Sequence, residues 1–244
     1  MKLCLLAALV AFGAIGLSPL TALAATEYVA KAIADPSRPA DDRKSDIVRK
    51  PGKVLAFAGV KPGQSVAEYL PGGGYYTRML SDIVGPSGKV YALETTTWGK
   101  ENVEGTKSAL KGLTNTELSL APLGQFHLPA KVDVFWTTDN YHDLHVPKYA
   151  NVDMAKFNKH VFDSLRPGGI YLIVDHAAAT GSGTKDSPTL HRIDKDAVVK
   201  EVTAAGFRLV GESDALRNTS DDHTQKIFAM HFQTDQFILK FRRP

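Results

Sequence analysis

The chain is nearly devoid of cysteine. Cys4 is the only one in 244 residues, and it lies inside an apolar N-terminal run. Everything after that run therefore lacks a disulfide, a thiolate nucleophile and a cysteine-ligated metal. A lipoprotein anchor would need its cysteine beyond the run, so Cys4 is misplaced for one. Dense basic tracts are also missing, and the formal net charge is only +3. Nothing in that distribution forms the electrostatic footprint of a nucleic-acid-binding surface. No later segment is apolar enough to cross a bilayer. Internal repeats and low-complexity tracts are absent as well.

What is present begins with a leader pattern. Lys2 precedes the apolar run Leu3 to Leu17, and Ala22-Leu23-Ala24 fits a small-x-small cleavage site. The run is short for a membrane span, and Ser18, Pro19 and Thr21 break the apolar character directly after it. The expectation is a signal peptide over residues 1–24 and an exported protein, periplasmic or secreted, with no membrane attachment after cleavage. About 220 residues remain, enough for one domain with a good-sized core.

Residues 25–60 read as a helical arm. It carries Arg38, Asp41, Arg43, Asp46 and Arg49, which are expected to form a solvated charged face with local ion pairs, or a lid. From Lys61 on, apolar strands and helix-period segments alternate. QSVAEYL, KVYALE, TELSLAPL, VDVFWTT and IYLIVDH read as strands, and YYTRMLSDIV, residues 100–111, MAKFNKHVFDSL and DKDAVVKEVTAAG read as helices. FRLVGES and KIFAMHF close the chain as strands, with QFILKFRR as a continuation of the last. This order predicts an α/β fold over residues 61–244. It is a Rossmann-like, mostly parallel seven-stranded sheet with helices on both faces and an antiparallel edge hairpin.

In such a sheet ligands bind beyond the carboxyl ends of the strands, where strand order reverses. The residues just after each strand are the ones to read. After the first strand comes Glu68, then Pro71, Gly72, Gly73 and Gly74. Glycines let a backbone approach a ligand closely and adopt positive φ. Glu94 ends the second strand, where a carboxylate can accept hydrogen bonds from both hydroxyls of a ribose. After the fourth strand comes a dense polar set, Asp139, Asn140, Tyr141, His142, Asp143 and His145. His142 is the candidate base, because imidazole titrates near neutral pH, with Tyr141 and Asp139 as companion catalytic candidates. His176 ends the fifth strand, with His191 and Arg192 shortly after. These three are the candidate substrate-binding residues or a polar pocket rim.

This order resembles that of class I S-adenosylmethionine-dependent methyltransferases. VAEYLPGGG resembles their first motif, Glu94 falls where their ribose-binding acid falls, and SLRPGGIYLIVDH resembles the segment leading into their fifth strand. The wider string RKPGKVLAFAGVKPGQSVAEYLPGGGYYTRML, with NYHDLH, resembles a subgroup of predicted exported methyltransferases. The resemblance covers roughly residues 46–232. It implies S-adenosylmethionine as cofactor and methyl transfer to a small molecule, with Glu68 and the backbone around Gly72 at the amino-acid end of the cofactor. Gly74 would allow close helix packing, and Ala121 to Leu123 would lie against the adenine. The implied cofactor set is Glu68, Pro71, Gly72, Gly73, Gly74, Glu94, Thr95, Leu123 and Asn140. Two departures are plain: Leu70 stands where the family has its first glycine, with Pro71 next to it, and Ala121-Pro122-Leu123 offers only backbone groups where the family often has a polar residue against the adenine.

Two other readings use the same residues. One is a nucleoside- or metabolite-binding protein without transfer. The other is a metal enzyme built on histidines at neighbouring strand ends with Asp139 or Asp143. No pair of the H-x-x-x-H type occurs, so no residue is assigned as a metal ligand.

Overall fold

The computed structural model describes residues 19–230 and 233–244. Most of the expected leader lies outside the described residues. Among those residues no helix is long and apolar enough to cross a membrane.

Seven strands form one sheet in the order β3-β2-β1-β4-β5-β7-β6. They are β1 Ser65–Tyr69, β2 Lys89–Thr95, β3 Thr116–Ala121, β4 Val132–Thr138, β5 Leu165–His176, β6 Arg208–Ser213 and β7 Gln236–Arg242. The first five pair in parallel, and β7 runs antiparallel to both β5 and β6. Strand order reverses between β1 and β4, which pair through Glu68 with Trp136 and Tyr69 with Thr137. This is the Rossmann-like architecture expected from the alternation of elements.

The central strands are apolar on both faces because both faces are covered. Ala67, Phe135, Tyr171 and Ile173 point to one side, where α6 (Met154–Ser164) and, after the single turn α7 (Ser187–Leu190), α8 (Lys195–Ala204) contribute Phe157, Val161, Val198 and Val202. Val66, Val134, Trp136, Leu172 and Val174 point to the other. There α1 (Pro19–Ala34), α3 (Pro51–Ala58) and α4 (Tyr75–Val84) supply Val29, Leu55, Met79 and Leu80. Successive side chains of a strand alternate between the faces, so each strand feeds two cores.

One strand expectation fails. The segment KIFAMHF, placed as a strand over 226–232, instead holds a 3-10 turn at Ile227–Ala229, and its last two residues lie outside the described set. The seventh strand is QFILKFR. It lies between two neighbours, so Phe237, Ile238, Leu239 and Phe241 are all buried, whereas Phe228 is 71% exposed. The edge pair is also not a tight hairpin, because a long loop separates β6 from β7.

The charged arm is solvated only in part: Asp41, Arg43 and Lys44 are exposed, with Lys44 paired to Asp41, while other charges turn inward. Between α1 and α2 (Ala40–Arg49), Arg38 is 1% exposed and makes a two-pronged ion pair with Asp46 at 2.7 and 2.9 Å. Arg38 also donates to the Ile33 carbonyl, and the Tyr75 hydroxyl donates to Asp46 at 2.6 Å. Asp42 of the same helix accepts from Arg78 of α4. Lys50 then adopts φ 42, and Pro51 starts α3. The arm is thus fastened across the start of α4. Removing one partner of a buried pair leaves an uncompensated charge. Asp46→Ala should therefore lower unfolding free energy by on the order of 3 kcal/mol. Urea denaturation measures this; a loss under about 1 kcal/mol, the range of surface pairs, would contradict the assignment.

Candidate functional site

The turn after β1 settles the question raised by Leu70. Leu70, Gly72 and Gly74 have φ of 58, 54 and 74. Left-handed backbone recurs at every second residue, and a leucine holds the first such place. A left-handed residue with a Cβ costs roughly 1–2 kcal/mol. Leu70 is nevertheless buried in the core, and its N–H donates to the Leu93 carbonyl at 2.8 Å. The three glycines have different duties. A Cβ on Gly74 would come within 2.9 Å of Ala109 Cβ, so this glycine serves helix packing. A Cβ on Gly72 or Gly73 would meet no atom within 4 Å. The backbone there faces open space.

Beneath this turn lies Glu68, 4% exposed. Its Oε2 has no hydrogen-bond partner among the described residues. Burial pushes its carboxyl up to about 7, against the opposing pull of the neighbouring Thr77 hydroxyl and, more weakly, of Arg78. Arg78 itself donates to the Gly73 and Ala109 carbonyls, so it fixes the glycine turn to α4 and α5 (Lys100–Ala109).

Glu94 is also buried, but it is satisfied. Its Oε1 accepts from the Thr95 N–H and its Oε2 from the Thr106 hydroxyl, both at 2.7 Å. The same Thr106 oxygen lies 3.1 Å from the Gly72 carbonyl oxygen, so α5 sits between the turn and the β2 end. Thr95 Oγ1 accepts from the Thr97 N–H, and the Thr97 hydroxyl accepts from the Leu123 N–H. The β2 and β3 ends are joined directly.

A cavity of about 490 Å³ opens on the other side of the reversal point, beyond β4 and β5. Its size suits a small molecule. Asp139, Asn140, His142, Asp143, His176 and His191 all line it. Asn140 donates to the Leu70 and Thr138 carbonyls and so links the cavity to the glycine turn. Arg49, Trp98, Tyr149, Ile227 and Phe228 complete the wall. Sequence reasoning did not select these five, although Arg49 belongs to the charged arm it had singled out.

The polar loop is organised by Asp175, a wholly buried residue near the end of β5. It accepts from the His142 N–H and Nδ1 at 2.7 Å each and from the His176 N–H at 2.7 Å. Burial raises its carboxyl, but the facing His142 outweighs this and holds it below the usual range. His142 Nε2 lies 3.3 Å from Asp143 Oδ1. Burial would lower the His142 pKa, yet the two carboxylates push it up to about 10. The two carboxylates thus favour the protonated ring, which must lose a proton before it can act as a base. His176 differs. Burial lowers its pKa, its Nδ1 meets the Thr234 hydroxyl at 2.7 Å, and its Nε2 lies 3.7 Å from Asp139 Oδ1. Burial thus favours its neutral form in the cavity. Asp139 has φ 61, accepts from Gln236 and pairs with Arg49 at 3.1 Å.

Two sequence candidates point elsewhere. Tyr141 is fully buried and faces away from the cavity; its hydroxyl donates to Glu201 and accepts from Asn158, both at 2.8 Å. Arg192 is equally buried and forms a two-pronged pair with Asp221 at 2.9 and 3.1 Å. It also donates to the Gln225 and Ala177 carbonyls. Its charge is consumed in holding the loop that brings Ile227 and Phe228 to the cavity.

No family model matches the chain, and no curated protein matches it by sequence. Solved structures match it in fold. A SAM-dependent methyltransferase from Aquifex aeolicus matches with a TM-score of 0.60 at 21% identity, covering 90% of this chain and 98% of that one. A second, from Mesorhizobium loti, gives 0.57 at 15% identity over 80% and 97%. The [4+2]-cyclase SpnF gives 0.57 at 15% identity over 83% and 80%. At these identities the likeness establishes the fold, the Rossmann-like fold of methyltransferases.

Tyr141→Phe tests the structural assignment of that residue. It strips buried Asn158 and half-buried Glu201 of a partner and should cost about 1–2 kcal/mol of unfolding free energy. Thermal or urea melts read this, and an unchanged midpoint would contradict the inward placement.

Proposed function

We propose that the protein is a SAM-dependent methyltransferase acting on a small molecule. Glu68 is the observation that carries this reading. It is a buried carboxylate with an orphan oxygen, under a turn whose left-handed backbone recurs at alternate residues. Burying such a group without a partner is unfavourable, and an ammonium group is a complement for it. The open faces of Gly72 and Gly73 leave room for an amino-acid tail to reach it. The fold supports the same reading, since neighbours that share it include SAM-dependent methyltransferases.

When bound, the cofactor supplies an electrophilic methyl group, and the chain's task is alignment. Glu68 and the backbone of residues 72–73 hold the amino-acid end. Glu94 takes the ribose: a carboxylate offers about four acceptor sites, of which Thr95 and Thr106 use two. Thr106 must yield its place between Glu94 and Gly72 for ribose hydroxyls to reach the acid. Leu123 and the linked segment at Thr97 lie where an adenine would rest. The cavity beyond β4 and β5 takes the acceptor, with the His176 imidazole in its wall. SpnF shares the fold and is a cyclase, so binding and transfer are separate claims. Cofactor binding without turnover on any acceptor would favour a metabolite-binding protein.

Calorimetry with SAM and with S-adenosylhomocysteine tests the cofactor. Absence of binding at millimolar ligand would overturn the reading. Because Glu68 binds an ammonium only when ionised, SAM affinity should tighten about tenfold between pH 5.5 and 7. Glu68→Gln should bind weakly with a flat profile. The ligand-free protein carries the opposite sign. The raised carboxyl of Glu68 contributes stability that is present below pH 4.5 and lost as pH rises through about 7. The loss is on the order of 3 kcal/mol, and it should vanish in Glu68→Gln.

The leader pattern of residues 1–24 supports export as part of this proposal, with the arm and the domain forming the mature protein. N-terminal sequencing of the exported protein should begin after Ala24. Recovery of the intact chain from the cytoplasm alone would contradict it.

A further inference from the structure

We propose that His142, Asp143 and His191 form a binding site for one divalent first-row transition-metal ion, open to the cavity. The three residues offer ligand atoms that all lie within 4.8 Å of one another. Two edges of that triangle are measured. His142 Nε2 is 3.3 Å from Asp143 Oδ1, and His191 Nδ1 is 3.4 Å from the same oxygen. These contacts are long for hydrogen bonds, which cluster near 2.9 Å for N–H···O. They do match the spacing of ligands around a shared ion. Metal–ligand bonds of about 2.0–2.1 Å in a tetrahedron put ligand atoms about 3.3–3.4 Å apart.

The support around the triad is that of a metal-ligating histidine. Such a ring donates its other N–H to a carboxylate, which fixes its tautomer and its aim. His142 Nδ1 meets buried Asp175 at 2.7 Å, and this turns Nε2 toward Asp143. His142 and Asp143 are adjacent on a 3-10 turn, Ile193 N–H donates to the His176 carbonyl at the end of β5, and His191 reaches in from that segment with φ 57. The Phe228 ring packs edge-on against the His191 ring, with centroids 4.8 Å apart.

Two imidazoles and one carboxylate make a donor set suited to zinc or to iron(II). All three residues line the cavity, so the remaining coordination positions face it. An oxygen or nitrogen atom of a molecule in the cavity can reach the ion. Ligation takes neutral imidazoles and an ionised carboxylate, so uptake is accompanied by proton release wherever a ring is protonated. None of this depends on methyl transfer, and metal uptake is measured without any cofactor.

The test is calorimetric titration of tag-free, chelator-treated protein with zinc chloride, paired with cobalt(II) titration followed by visible absorption. The expected result is one saturable equivalent, with the d–d bands of a tetrahedral cobalt centre. His191→Ala, at the cavity rim, should lose more than about tenfold in affinity, and the isosteric Asp175→Asn should lose about 10–100-fold by misaiming His142. Circular dichroism checks that both variants fold. His223→Ala, which removes a histidine paired with Asp235 outside the cavity, should leave binding unchanged. No saturable uptake by the wild-type chain, or unaltered uptake in folded His191→Ala, overturns the proposal.

Discussion

The candidate site depends on one buried carboxylate. Asp175 lies near the end of β5, in its wholly buried half, and a charge in that place must be satisfied from within. It takes both the backbone and the ring of His142 and the backbone of His176. That choice fixes the turn after β4 against the end of β5. On the same turn Asp139 has left-handed backbone and meets Arg49 of the arm and Gln236 of β7. Asn140 then reaches the carbonyl of Leu70. A single desolvated acid thus sets the relation between the glycine turn, the polar loop and the antiparallel strand.

A second set of charges fastens the arm over this arrangement. Arg38 and Asp46 close α1 onto α2, Tyr75 joins Asp46 to the first turn of α4, and Asp42 holds Arg78. Arg78 in turn grips the carbonyl of Gly73. The arm therefore bears on the glycine turn through a short relay of side chains. Arg49, whose guanidinium stacks 4.6 Å above the Tyr75 ring, carries the same helix to the cavity wall. Such pairs contribute through specificity of placement as much as through stability.

Much of this was legible in the sequence. Alternating apolar runs gave the strand series through β6, and the acid, glycine and polar clusters at strand ends gave the region of the site. The failures share a physical cause, which is direction. Tyr141, His142 and Asp143 are consecutive on a tight turn, so their side chains diverge toward α6 and α8, toward Asp175 and toward the cavity. Sequence order does not say which goes where. Arg192 reads as a ligand-binding cation, yet its partner is Asp221, in a loop far along the chain. Leu70 reads as a departure from a glycine pattern, but the backbone keeps the left-handed conformation and the core holds the leucine in place. The misplaced last strand shows that apolar letters alone do not separate a covered strand from a cavity rim. QFILKFR differs from KIFAMHF mainly in having neighbours on both sides.

The central claim is that the orphan carboxylate of Glu68 and the turn above it receive the amino-acid end of a SAM-type cofactor. A crystal structure of the protein grown with S-adenosylhomocysteine tests this most directly. The account predicts the ligand's ammonium within hydrogen-bond distance of Glu68 and its ribose at Glu94 in place of the Thr106 hydroxyl. A ligand bound elsewhere, with Glu68 still unpartnered, would contradict it.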